Sequence, residues 1–123
     1  MEPAVVSYRD LLVWQAAVEL AVACYSNTSS FPRSEEFGLT SQIRRAATSI
    51  AANIAEGNGR ESTGVYVQFL RVSQGSLKEL ETHIIVAMKV GLMKENAAAG
   101  LLNRAEEIGK MLRALIRTLQ KRS

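Results

Sequence analysis

Proline stands at only two positions, 3 and 32, so helix-interrupting signals are few and their placement decides the architecture. They gather at Asn27 to Pro32, at Asn58-Gly59 and from Gly91 to Asn96. The four stretches between them repeat apolar residues at helical spacing. Eight glycines, 6% aromatic residues and runs rich in Ala, Leu, Glu and Arg favour helices over a sandwich or barrel. The pattern predicts helices over about 10–27, 35–58, 62–90 and 95–121. Short connections make consecutive helices antiparallel neighbours. The expected fold is all-α, one antiparallel up-down-up-down four-helix bundle. Asp10, Ser34 and Ser62 are the expected N-caps of the first three helices, and Asn96 suits the fourth better than Lys94.

Helix 1 carries unusual apolar surface. At roughly 100° per residue, Gln15, Glu19 and Ser26 share a sector of about 40°. The rest of the run from Leu11 to Tyr25 is apolar. Val13, Ala17, Leu20 and Cys24 can face a bundle core. Trp14, Val18, Ala21 and Tyr25 then form a second stripe that a lone bundle does not need. Either a wide core absorbs this stripe or a second copy covers it; the size of the apolar arc favours self-association.

Helix 3 repeats Tyr66, Leu70, Ser73, Leu77, Leu80, Ile84, Ala87 and Gly91 in steps of four and three, with Ser73, Gly75 and Ser76 small enough to admit another backbone. Helix 4 gives Leu101, Ala105, Ile108, Leu112, Leu115 and Leu119 by the same rule, with outer pairs Glu106–Lys110 and Arg104–Glu107. Helix 2 buries Leu39, Ile43, Ala47, Ile50 and Ile54, beside Ala46 and Ala51. Its other edge stacks Gln42, Arg45, Ser49, Asn53, Glu56 and Arg60. Such a row can bind phosphate or nucleotide edges. It can equally form a hydrogen-bond network between subunits, with Arg45 paired to Glu19, Glu56 or Glu79. The carboxylate of Glu56 favours the network, because it would repel a phosphate alongside.

The net charge of +3 is unevenly placed: −2 over residues 1–32, +1 over 33–60, 0 over 61–93 and +4 over 94–123. A basic helix end can meet phosphate, or simply complement its own dipole. One histidine, His83, four residues after Glu79, cannot build the paired Glu-x-x-His motifs of ferritin-like bundles, so no metal and no cofactor is expected. Glu56-Gly57-Asn58-Gly59-Arg60 lacks the lysine and hydroxyl of a phosphate-binding loop. Cys24, the single cysteine, sits in an apolar helix where a thiolate is costly. No catalytic constellation emerges, so the chain reads as a non-enzyme. No segment reads as a leader or a membrane span, and a cytoplasmic protein with no membrane partner is expected.

Asp10-Leu11, with Val13-Trp14-Gln15 and Ala17, opens an ordered series of motifs. Phe31-Pro32, Glu36-Phe37-Gly38-Leu39, Gln42-Ile43-Arg44-Arg45-Ala46-Ala47, Ser49-Ile50 and Asn53-Ile54-Ala55-Glu56-Gly57 form its most specific block. Arg60, Ser62, Phe69-Leu70, Gly75-Ser76, Glu79-Leu80 and Ile108-Gly109-Lys110-Met111-Leu112 continue it. In this series the chain resembles the small four-helix-bundle proteins encoded by intervening sequences within bacterial 23S ribosomal RNA genes. The resemblance implies an antiparallel bundle assembled into a ring-like homopentamer, with no demonstrated activity for most members. A related branch, the accessory variability proteins of diversity-generating retroelements, is basic and linked to nucleic-acid and reverse-transcriptase binding. The chain departs from the family pattern at Gly64, at Val65 (where an acidic residue would complete a capping box with Ser62) and at the start of helix 4, which lacks the usual serine.

Two functions are therefore expected to compete. One is a homo-oligomer that binds structured RNA or DNA through Arg44, Arg45, Arg60, Arg71, Lys78, Lys110, Arg113 and Arg117. In it, five copies would sum to a field strong enough for phosphate. Trp14, Val18, Ala21, Tyr25, Gln42, Arg45, Ser49, Asn53 and Glu56 are the expected subunit contacts. The other is an adaptor oligomer that binds a protein partner and no nucleic acid. One continuous basic surface would favour the first, and scattered charges paired with glutamates the second.

Overall fold

The computed structural model describes residues 7–122; Glu2, counted above in the acidic leading segment, lies outside them. Four α-helices follow one another: α1 (Leu12–Thr28), α2 (Leu39–Asn58), α3 (Thr63–Lys89) and α4 (Glu95–Arg122). Each packs on two neighbours, α1 on α2 and α4, α3 on α2 and α4. That arrangement is the predicted antiparallel bundle, and one cluster of buried apolar residues drawn from all four helices fills its centre.

The helix starts depart from the expectation at three caps. Asp10 does not cap α1. It closes a reciprocal capping box with Ser7 around a short 3₁₀ turn at Tyr8–Asp10, and the uncapped Leu11 precedes α1. Ser34 does not cap α2 either, because Arg33–Glu35 forms another 3₁₀ turn and the helix begins only at Leu39, after Gly38. There the Leu39 amide donates to Glu35 Oε1 at 3.0 Å, so a carboxylate from the preceding turn supplies the missing acceptor. Ser62 caps α3 as expected: its Oγ accepts from the Val65 amide at 3.3 Å. At α4 the Ala98 amide donates to the Lys94 carbonyl at 3.0 Å, while Asn96, inside the first turn, accepts only from its neighbour Ala97.

The α3 seam is buried as predicted from Tyr66 to Ala87, but Gly91 lies beyond the helix. With φ at 84°, Gly91 takes the left-handed conformation, and its amide and that of Leu92 donate to the carbonyls of Met88 and Ala87. These two bonds are a Schellman ending, which needs a residue without a Cβ penalty at that position. In α4 the buried row is Leu101, Ala105, Ile108, Leu112, Ile116 and Leu119, so Ile116 replaces the expected Leu115, which is half-buried.

The α2–α3 pair is the most extensive of the helix contacts. Small residues set its spacing. Ser73, fully buried, donates to the Ile50 carbonyl at 2.9 Å, and Ser49 and Ser76 share a hydrogen bond of 2.9 Å. A Cβ on Gly57 would stand 2.6 Å from Phe69 Cβ. Gly75, expected to admit another backbone, faces open space within the chain.

Candidate nucleic-acid and subunit-contact surfaces

The eight candidate cations fall into three places. Arg44 is held inside the chain. Its guanidinium lies 4.5 Å from the Tyr25 ring centroid, and its Nε donates to Thr28 Oγ1 at 3.0 Å. Thr28, buried, passes its own hydroxyl hydrogen to the Cys24 carbonyl at 2.8 Å. Arg44 thus clamps α2 to the end of α1, and Tyr25, expected at a subunit contact, is half-covered by it.

Arg45 and Arg60 lie on the α2–α3 side. Arg60 pairs with Glu56 at 3.2 Å and sits 5.1 Å over the Phe69 ring. Arg45 has no ion pair among the described residues. Of its expected carboxylates, Glu56 is taken by Arg60, and Glu79 lies 3.4 Å from His83 Nε2. Arg45 and Glu79 instead line a cleft of about 510 Å³, with Gln42 and Ser49. Phe37, at the mouth of that cleft, is 90% exposed. Asn53 binds back to the Ser49 carbonyl at 2.9 Å and to its hydroxyl at 3.0 Å. Much of the polar row is therefore satisfied within the chain.

The remaining five, Arg71, Lys78, Lys110, Arg113 and Arg117, are exposed on α3 and α4. Lys78 and Arg113 line one groove between these helices, together with Glu81, Asn103, Glu106 and Gly109. Arg71 lies two turns before Lys78 on the same face, and Lys110 and Arg117 lie one turn either side of Arg113. Lys78 pairs with Glu81 at 3.1 Å and Lys110 with Glu107 at 3.6 Å. The latter replaces both expected outer pairs of α4. Arg71, Arg113 and Arg117 have no ion pair among the described residues.

The opposite side of the bundle is nearly free of charge. Residues 46–55 of α2 include no ionisable side chain, and Thr48 and Ala52 are exposed among them. An open apolar groove of about 400 Å³ runs beside them, lined by Val18, Ala21, Val22, Tyr25, Ser26, Thr48 and Ala51. Val22 is 56% exposed on its rim. Trp14, half-buried, stacks edge-on against Tyr8 at 5.2 Å. Of the second stripe expected on helix 1, Ala21 is buried in the core, Trp14 and Val18 pack partly against it, and Arg44 lies over Tyr25, so the bundle absorbs much of the stripe that periodicity set apart.

Among the described residues, no cluster of three His, Cys, Asp or Glu side chains could hold a metal. Among the same residues, no helix is long and apolar enough to cross a membrane. Burial pushes the Cys24 thiol up to about 12, against a small opposing pull from Arg104, so the thiolate that nucleophilic chemistry needs is disfavoured.

A four-helix bundle with one nearly uncharged side and one side rich in arginine and lysine is a class of protein defined by its surfaces. The chain belongs to the 23S rRNA-intervening sequence protein family, whose model matches residues 9–114. Among solved structures, it is similar to a protein of unknown function from the S23 ribosomal protein family of Bacteroides thetaiotaomicron VPI-5482. The TM-score is 0.77 at 25% sequence identity, and the match covers 85% of this chain and 98% of that one. No curated protein matches it in sequence.

Proposed function

We propose that the protein is a non-enzymatic homo-oligomer that presents basic residues to the phosphates of structured RNA or DNA. Copies meet through the uncharged face of α2 and the apolar groove beside α1; the pentamer number comes from the family resemblance alone. The observation that carries this reading is the segregation of the two sides. The charge of residues 94–123, +4, exceeds the +3 of the whole chain, whereas residues 46–55 have none. Stacking uncharged faces together would leave α3 and α4 pointing outward and sum their fields.

Light scattering together with filter binding across a salt series tests both halves. The expected result is a mass several times 13.5 kDa and retention of nucleic acid that falls steeply with salt. Val22→Asp, which places a charge on the rim of the groove without touching the core, should split the assembly. It is a cleaner probe than Trp14→Asp, since Trp14 also supports Tyr8. A monomer at high concentration, or no binding at low salt, refutes the reading. The adaptor alternative draws on Phe37, whose exposed ring beside the unpaired Arg45 suits an acidic or aromatic protein segment. An intact oligomer that retains no nucleic acid even at low salt would favour it.

A further inference from the structure

The basic side of the bundle has a chemical property that narrows its ligand. All seven Phe, Trp and Tyr residues of the chain lie at or before position 69, and the one imidazole of α3, His83, is paired with Glu79, which faces the cleft against α2. Tyr66 is buried, and Phe69 is turned to the other side of α3, beneath Arg60. Around Arg71, Arg113 and Arg117 there is consequently no ring on which an unstacked base could lie. We infer that this α3–α4 face takes a double-stranded phosphate backbone, without reading sequence, and rejects single strands. The inference rests on the nucleic-acid reading above.

Two physical terms lead to it. A single strand must lose conformational freedom when it is fixed on a surface, and proteins that hold single strands offset this loss chiefly by stacking bases on aromatic side chains. Here that compensation is missing. A duplex is already stiff, and its axial charge density, one charge per about 1.7 Å, meets cations fixed on two packed helices with little further ordering. Sequence readout would require side chains directed into a groove. The α3–α4 face instead offers a groove of about 350 Å³ whose own carboxylates, Glu81 and Glu106, repel acceptor-rich base edges and phosphates alike, so a backbone is met by the arginines along this face rather than drawn into the groove. Lys78 remains tied to Glu81, so Arg71, Arg113 and Arg117 provide the three free contacts of each protomer.

The full chain, as purified, is titrated by fluorescence anisotropy with a blunt duplex RNA, the same duplex in DNA, and each single strand, including uridine and adenosine homopolymers. Both duplexes should bind at least about tenfold more tightly than any single strand, and scrambling their sequence should change nothing. With three phosphate contacts the affinity for duplex DNA should fall by about 40-fold between 50 and 200 mM salt, following a slope of about −0.9 per contact. Arg71→Glu/Arg113→Glu/Arg117→Glu, all exposed positions, should abolish this binding with its helical circular dichroism intact, and the three single alanine variants should each reduce it. Single strands that bind as tightly as duplexes overturn the inference and leave the nucleic-acid reading standing. Retention of duplex binding by the charge-reversed variant overturns the assignment to this face. Failure of every nucleic acid to bind at 50 mM salt overturns the broader reading and the inference with it.

Discussion

Adding one methyl group at Gly57 and one at Gly75 should move the stability of this bundle in opposite directions. Both glycines are helical, in α2 and α3, and alanine improves helix propensity by up to about 1 kcal/mol at an interior position. At Gly75 the new Cβ meets nothing within 4 Å, so the full gain should appear. At Gly57 it would stand 2.6 Å from Phe69 Cβ, 3.0 Å from Tyr66 Cδ1 and 3.3 Å from the Tyr66 carbonyl oxygen. Carbon atoms sit comfortably at about 3.5–4.0 Å, and two of these three neighbours are main chain or the first atom beyond it. No rotamer change can relieve the contact. The helices must separate by about 1 Å, which also stretches the Ser73–Ile50 and Ser49–Ser76 hydrogen bonds. Overpacking of this kind costs about 1–3 kcal/mol, so after a propensity gain of about 1 kcal/mol the net loss for Gly57→Ala centres on about 1 kcal/mol.

Urea unfolding at one fixed protein concentration reads the difference, since an oligomer's midpoint shifts with concentration. With a slope of about 2 kcal/mol/M, Gly57→Ala should unfold at about 0.5 M lower urea and Gly75→Ala at about 0.5 M higher. A midpoint for Gly57→Ala at or above that of the parent would refute close helix approach at Phe69. Destabilisation by Gly75→Ala would have a different meaning: a second copy would then lie against that glycine.

Arg44→Ala should destabilise the fold by about 1–2 kcal/mol in the same assay, since it removes a stacked cation and a hydrogen bond that tie α2 to α1, whereas Arg45→Ala should stay within about 0.5 kcal/mol. Ser62→Ala removes the one side-chain cap at the start of α3 and should cost about 1 kcal/mol, measured as a lower midpoint with unchanged slope. Cys24 should resist thiol reagents at pH 8 and react only as the chain unfolds; rapid labelling in the absence of urea would contradict its burial. Because folding raises its pKa from 9.0 to about 12, the thiol's contribution to stability is complete below pH 9 and is lost as pH rises toward 12, so the difference between parent and Cys24→Ala should narrow over that range.

The bundle was legible in the sequence because its breakers are few and its apolar periods long; the details that were missed share a cause. Asp10 and Ser34 are good caps by residue type, but each is drawn into a 3₁₀ turn one step before its helix, and Phe37 is carried into solvent by the second of these turns. Composition shows which residues can cap, not where the chain has already turned. In α4 the expected row follows a strict seven-residue repeat and so averages 3.5 residues per step. A straight helix has 3.6, and the row drifts by about 20° per heptad. By the fourth turn after Leu101 this drift brings Ile116 inward in place of Leu115.

The candidate surface was harder to read for a topological reason. Along the chain, the eight cations look alike: exposed-looking, basic and on amphipathic helices. Their chemistry is fixed by which neighbour each helix has. Arg44 meets Tyr25 only because α1 ends beside the first turns of α2, and Arg60 meets Phe69 only because α2 and α3 approach closely at Gly57. Lys78 and Arg113 share a groove because α4 runs back along α3. A helical wheel assigns a face to a residue, but the available charge of that face is set by the adjoining helix. Two of the eight are consequently anchored to aromatic rings inside the fold, while Arg71, Arg113 and Arg117 have no ion pair among the described residues.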